Sequence, residues 1–560
     1  MNSRLYLHFR PKLLSALTEY RPADFALDLS AGITVGAVAL PLAMAFAIAS
    51  GLKPEAGLYT AITAGFLISL MGGSKVQIGG PAGAFIVIVY GIVRRYGVDG
   101  LIVSTMLAGL LLIGMALLRL GGLIRFVPVA IVIGFTNGIA VLIGLSQIKD
   151  FLGLRMDDPP ADFFGRIAEI AAHLNSVNPN ACLLGLATAA IVFGWPALVR
   201  RLDVPILGRV PGSIIALALG TALVTFLHLS VETVGTRFGG IPSSLPDPSL
   251  PHFHLGDLAE LIRPAVTIAL LGAIESLLCA RVADGMIGDR HDPNQELLAQ
   301  GFANLTAPLL GGYCATGTIA RTVTNIRSGA RTPVAGIVHA ATLLVILLVG
   351  APLARNVPLA VLAGILICVA YNMGEWHEFA RLRHFSNNYR AILLATFLLT
   401  VTVDLTVAVE VGLGLSFFFF VTRISTLTSL EPVPEIETQG LARLGDRVEA
   451  YRLMGSLFFA TVDKIEALAE PGRPVPEILI LSLSNLLNID TSGVDALEHV
   501  RATLAGRGCQ LVIAGAQGQP LSLLRRSGFI EAVGRENFYD STASALAGVT
   551  DARLDANQSG

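Results

Sequence analysis

Hydrophobic residues along this chain come in long blocks separated by short polar stretches. Residues 101–118 hold no charge, and residues 336–353 are almost as clean. Segments of about 18–20 residues cross a hydrocarbon core of about 30 Å as helices. Fourteen such candidates, some of them short, lie between Leu29 and Arg423. They start near residues 29, 57, 82, 101, 123, 181, 209, 264, 296, 316, 333, 354, 388 and 405. The second, third, ninth and tenth are short or interrupted by Gly and Pro. Buried core helices of a soluble protein explain one clean block, not a long series of them. After Arg423 the pattern changes. Pro432, Pro434 and nearby acids predict a linker over residues 426–440, following a transmembrane region of residues 29–425. In residues 441–560, the apolar run 478–483 predicts a buried strand, 492–505 a helix and 510–514 a second strand. This β–α–β rhythm predicts a small α/β domain.

Composition agrees with a membrane protein. Hydrophobic residues make up 53% of the chain and charged residues 14%, against about 25% charged in soluble domains. A net charge of −2 gives no basic excess for nucleic acid. Cys182, Cys279, Cys314, Cys368 and Cys509 are scattered, without metal-ligand spacing. The histidines do not cluster, and no phosphate loop or nucleophile–base set emerges, so neither an enzyme nor a cofactor is expected. Residues 1–28, with Arg4, Arg10, Lys12 and Arg21, read as an uncleaved cytoplasmic arm. With that arm inside, inner loops gather Lys75, Arg119, Arg125, Arg200, Arg201, Arg209, Arg281 and Arg327. Outer Lys149, Arg155 and Arg166 sit among Asp150, Asp157 and Asp158. The asymmetry supports an even number of spans and two cytoplasmic ends. The run Asp284, Asp289, Arg290, His291 and Asp292 then reads as a solvated cytoplasmic loop.

The third and tenth spans share an unusual approach. Gly72-Gly73 opens the run to Gly80-Pro81-Ala82-Gly83-Ala84, and Gly311-Gly312 opens the run to Ala315-Thr316-Gly317-Thr318 and Arg321. Each goes extended and then starts a helix too short to cross alone. Matched, interrupted segments in two halves point to a transporter binding site. Two half-helix N-termini attract an anion through their free N–H groups and dipoles. Thr316 and Thr318 add candidate hydroxyl donors, and Arg321 adds a full charge. Ordinary Gly-rich loops remain the alternative.

Two ionisable residues stand in apolar surroundings. Glu275, between Gly272 and Leu278, must be paired, hydrated or protonated, which suits a proton carrier. It would otherwise pair helices through Arg321 or Asn304. Arg321 would otherwise snorkel to the inner interface.

These residues carry a resemblance. Residues 28–36, the Pro41–Ala47 motif, Gly272–Leu278 and Ala315–Thr322 resemble the SulP anion transporters, prokaryotic relatives of the SLC26 family. Within it the chain is most similar to the DauA-type branch of C4-dicarboxylic acid transporters. The resemblance implies fourteen transmembrane segments as a seven-plus-seven inverted repeat with core and gate domains. It further implies an elevator-type motion and a homodimer. The anion site would involve Gly80, Pro81, Ala82, Ala84, Ala315, Thr316, Gly317, Thr318 and Arg321. Glu275 falls where proton-coupled members carry Glu and sodium-coupled bicarbonate members carry Asp. Leu42 replaces a common Gln, and Tyr313-Cys314 replaces a common Ile-Pro; both bear on the choice of anion. The C-terminal domain resembles the STAS module, which implies a cytoplasmic protein partner. Ser492 falls at its regulatory phosphorylation position, where it also suits a helix N-cap. The expectation is a proton-coupled symporter of a sulfate-like oxyanion or a C4-dicarboxylate. Sodium-coupled bicarbonate transport is one alternative, and an anion-sensing receptor signalling through STAS is another.

Overall fold

Proline sets the start of several helices, because it lacks the N–H that a first turn leaves unpaired and holds φ near the helical value. The computed structural model describes residues 10–558 except 19, 123–126, 157–159, 161, 203–209, 247, 249–250, 252–257, 404 and 434–446. Arg4, Arg125, Arg209, Asp157 and Asp158 of the charge argument therefore lie outside the described residues, as do the expected helix starts near 123 and 209.

After the short α1 (Lys12–Leu17), α2 (Pro22–Ala49) and α3 (Pro54–Met71) each open on Pro. α4 (Ile86–Leu117) is broken at Gly97, whose φ of 72° suits glycine, and the break separates the expected third and fourth spans. α5 (Val129–Leu152), α6 (Phe163–Ala172), α7 (Pro179–Leu202), α8 (Gly212–Leu227) and the one-turn α9 (Val234–Phe238) follow. The amphipathic α6 is an element the block pattern did not predict.

The second half comprises α10 (Leu258–Ile287), α11 (Pro293–Thr306), α12 (Ile319–Arg327) and α13 (Val334–Ala354). It continues with α14 (Leu359–Met373), α15 (Trp376–Arg381), α16 (Asn387–Thr402) and α17 (Leu405–Leu427). The expected start near 354 is displaced, because Pro358 forms the cap of α14 and the chain turns before it. Among the described residues, eight helical stretches are long and apolar enough to cross a membrane.

The arm expected over residues 1–28 holds α1 and the first turns of α2. Asp28 is fully buried there. Its carboxylate accepts the N–H groups of Arg331 and Thr332 at 2.7 and 3.2 Å and the Thr332 hydroxyl at 2.5 Å. The acidic run after α10 is likewise built into the structure rather than merely solvated. Asp289 pairs with Lys12 at 3.0 Å and Lys75 at 3.4 Å, Asp284 accepts from His291, and Asp292 caps α11.

The chain divides into two units at Leu413/Gly414. In the second, β3 (Ser429–Pro432), β4 (Val448–Leu457), β5 (Ile478–Ile489), β6 (Gln510–Ala514) and β7 (Phe538–Tyr539) form one sheet in that order. β3 is antiparallel to β4 and the other pairs are parallel. Part of the expected linker is thus an edge strand, where Pro432 is tolerated. Residues 434–440 of that linker lie outside the described residues. Helices α18 (Asp463–Glu466), α19 (Thr491–Gly506), α20 (Gly518–Arg526), α21 (Phe529–Val533) and α22 (Thr542–Gln558) complete this unit. Leu479 and Leu481 face the α19 side while Ile478 and Ile480 face the α22 side. Burial on both faces explains the unbroken apolar run of this strand.

Ser492 is not the N-cap of α19. Asp490 is: its carboxylate accepts the Gly493 N–H at 2.8 Å and the Phe459 N–H at 3.3 Å. A carboxylate matches the positive helix end better than a hydroxyl, which leaves Ser492 half-exposed in the first turn. Asp490→Ala is expected to cost about 1 kcal/mol. Ser492→Ala should stay within about 0.5 kcal/mol. Denaturant unfolding of both variants checks the contrast.

Candidate functional site: paired helix starts

Both interrupted helices begin after extended chain. Ala82 (φ −118°, ψ 148°) leads into the single turn Gly83–Phe85 that precedes α4, and Thr318 (φ −111°, ψ 113°) leads into α12. Neither side chain caps its helix. The first-turn N–H groups therefore have no side-chain acceptor at the cap, and each helix start carries about half a positive charge.

The extended residues before these starts join. β1 (Gly79–Gly80) pairs antiparallel with β2 (Thr316–Gly317), Gly79 opposite Gly317 and Gly80 opposite Thr316. Ile78 extends the junction. Its carbonyl accepts the Thr318 N–H at 2.9 Å and its N–H donates to the Thr322 hydroxyl at 3.0 Å. Because the strands are antiparallel, the two helices leave the junction in opposite directions and both positive ends face it.

Gly80, Pro81, Ala82, Ala84, Ala315, Thr316, Gly317, Thr318 and Arg321 are all buried. The two threonines do not act as the free donors expected of them. Thr316 Oγ1 donates to the Gly272 carbonyl at 2.8 Å, and Thr318 Oγ1 donates to the Ile78 carbonyl at 3.0 Å. A backbone carbonyl has two lone pairs, and in a buried site each hydroxyl proton is satisfied by the nearest of these rather than left free. The hydroxyl oxygens keep only acceptor capacity. Ala315 is held at both backbone polar atoms by Asn304, at 2.8 and 2.9 Å.

Arg321 is 2% exposed and does not snorkel. It reaches back across the junction, where Nη2 donates to the Pro81 carbonyl at 3.2 Å. Nη1 has no partner among the described residues. Gly80 makes this approach possible: its φ is 152°, and a methyl group there would lie 2.6 Å from Nη1. The guanidinium thus links the two helix starts and keeps one fork of donors uncommitted.

Glu275 is half-buried on α10, one turn after the Gly272 that receives Thr316. It forms no hydrogen bond or ion pair among the described residues, so the expected alternative of a pairing with Arg321 or Asn304 does not hold. A different acid is the structural hub. Glu296 of α11 is fully buried. Oε2 accepts the Gly73 N–H at 3.0 Å, and Oε1 accepts Gln77 Nε2 at 3.1 Å, Ser276 Oγ at 3.2 Å and Gln300 Nε2 at 2.9 Å. Its position in the first turn after Asp292-Pro293 reads in the sequence as an ordinary helix-start acid, which hid this role. His339, a lone histidine in the apolar α13, is also fully buried beside the junction.

The sequence matches the sulfate permease family over residues 25–396 and the STAS domain over residues 439–545. "Putative sulfate transporter YvdB" of Bacillus subtilis is 42% identical over 93% of this chain and 97% of its own length. The bicarbonate transporter BicA of Picosynechococcus is 30% identical over 88% of this chain and 89% of its own. The solved transmembrane domain of a cyanobacterial BicA superimposes with a TM-score of 0.63 at 33% identity, covering 70% of this chain and 98% of that domain. SLC26A9 shares the fold over 98% of this chain and 93% of its own, with a TM-score of 0.84 at 18% identity.

Proposed function

The chain belongs to the sulfate permease family and is an anion transporter, and from that premise we propose that it carries a sulfate-like oxyanion or a C4-dicarboxylate such as succinate or fumarate by proton symport. One observation carries the reading: two uncapped helix starts converge on a buried strand pair, with the free fork of Arg321 beside them. The bound anion accepts hydrogen bonds from the first-turn N–H groups and from Nη1. Gly80, Pro81, Ala82, Ala84, Ala315 and Gly317 shape the floor without competing charges.

Fourteen spans in a bacterial plasma membrane, both ends cytoplasmic, arrange residues 29–425 as a core moving elevator-fashion against a gate, in a homodimer. The STAS domain, with Ser492 at its regulatory position, meets a cytoplasmic partner.

In this reading Glu275 carries the coupling proton, because an acid unpaired within the membrane region travels more readily protonated. Glu275→Gln is expected to abolish the acceleration of sulfate uptake by an acidic exterior in proteoliposomes while leaving sulfate exchange. Unchanged acid stimulation in that variant removes the carrier role.

Sodium-driven bicarbonate transport is the second reading, favoured by the match to BicA over most of both chains. Uptake of labelled bicarbonate with and without sodium separates the two.

A further inference from the structure

His339 has no exposure, and neither ring nitrogen has a partner among the described residues. A buried polar group in that condition costs about 1–3 kcal/mol, so the ring must gain something in another step of the cycle. Arg321 Nη1 is in the same condition. Arg321 Nη1 lies against Gly80 of β1, and the His339 ring lies against Gly65 of α3, which also faces the Gly79 carbonyl. A methyl group on Gly80 would lie 2.6 Å from Arg321 Nη1. One on Gly65 of α3 would lie 3.1 Å from the Gly79 carbonyl oxygen and 3.5 Å from His339 Nδ1. Ala61, one turn before Gly65, backs Gly80. A fixed cation at one residue of β1 and a titratable base across Gly65 from the preceding residue's carbonyl thus stand close enough to act on each other.

The electrostatic surroundings of the ring are simple. α12 contributes Arg321, the one charged side chain that acts on the ring among the described residues. Toward the ring α3 presents Gly65, while Gly36 of α2 lies against the His339 backbone carbonyl. Asp28 of α2 is held at the start of α13 by Thr332. α13 itself carries no second ionisable side chain.

We propose that His339 is a second proton site, which takes up a proton when a dianion binds beside Arg321. This rests on the anion site proposed above. A monoanion balances the guanidinium, whereas a dianion leaves excess negative charge near a desolvated imidazole and favours the imidazolium. Binding and protonation are then reciprocal: the dianion recruits the proton, and the proton tightens the dianion. Bicarbonate or nitrate would recruit none at this residue.

The test uses purified full-length protein in weak buffer with a pH-indicator dye. Wild type is expected to take up about one proton more per sulfate bound than per nitrate bound. His339→Gln and His339→Asn are each expected to bind sulfate more weakly and to lose that difference. An undiminished difference in a variant that binds sulfate overturns the proposal. So does loss of sulfate binding in both folded variants with the wild-type difference absent from the start, since the ring is then only structural. Failure of wild type to bind sulfate, bicarbonate or succinate sinks the anion site itself, a separate result.

Discussion

Arg321→Ala is expected to weaken anion binding by about 10- to 100-fold. Hydrogen bonds to charged groups are worth about 1.5–3 kcal/mol, and each 1.4 kcal/mol is about tenfold in affinity. The substitution removes the uncommitted Nη1 and also the bond from Nη2 to Pro81, so the strand that carries Gly80 loses a tether. Arg321→Lys separates the two effects. Lysine keeps the charge but not the fork that reaches both the carbonyl and the anion, so its affinity should fall between wild type and Ala. Calorimetric titration of purified protein with sulfate reads the series. Equal affinity across the three proteins would move the charge out of the site.

The interruption of the two helices was legible because Gly pairs and a Pro stand where apolar blocks should continue. Their pairing was not. β1 and β2 are two residues long, too short to show a period, and no local pattern tells one extended segment about another. The direction of Arg321 is also a long-range matter. Inward or outward is decided by Gly80, which makes room for it and is backed by Ala61, and both lie far from it in the chain. The threonine hydroxyls were misread for a related reason: Gly272 and Ile78 offer carbonyls that only the fold brings near.

In the second unit the local rules worked better, since each element there carries its own period. The expected strand at residues 510–514 is the observed β6, and the expected helix at 492–505 differs from α19 by one residue at each end. The edge strand β3 was missed because its proline and acid also suit a linker.

Glu296→Ala is expected to remove both transport and much of the stability of the membrane region. The carboxylate is the shared acceptor for donors on three segments: Gly73 and Gln77 before β1, Ser276 on α10 and Gln300 on its own helix. Alanine leaves these donors buried without that acceptor, at about 1–3 kcal/mol for each one that finds no other. Gln77 can still donate to Ser276 at 2.9 Å, so not every donor is stranded. A loss on the order of 4 kcal/mol follows. Glu296→Gln should be milder. Its amide oxygen still accepts, and its NH2 can meet the Gln77 Oε1, which has no partner among the described residues. The Gln variant should fold, yet transport more slowly, because Gln77 lies two residues before β1 and its altered bond shifts the strand that places Arg321. Thermal unfolding, with and without sulfate, reads the first effect, and uptake by the folded variants reads the second. Wild-type melting and uptake in Glu296→Ala would show that β1 is held by its pairing with β2 alone.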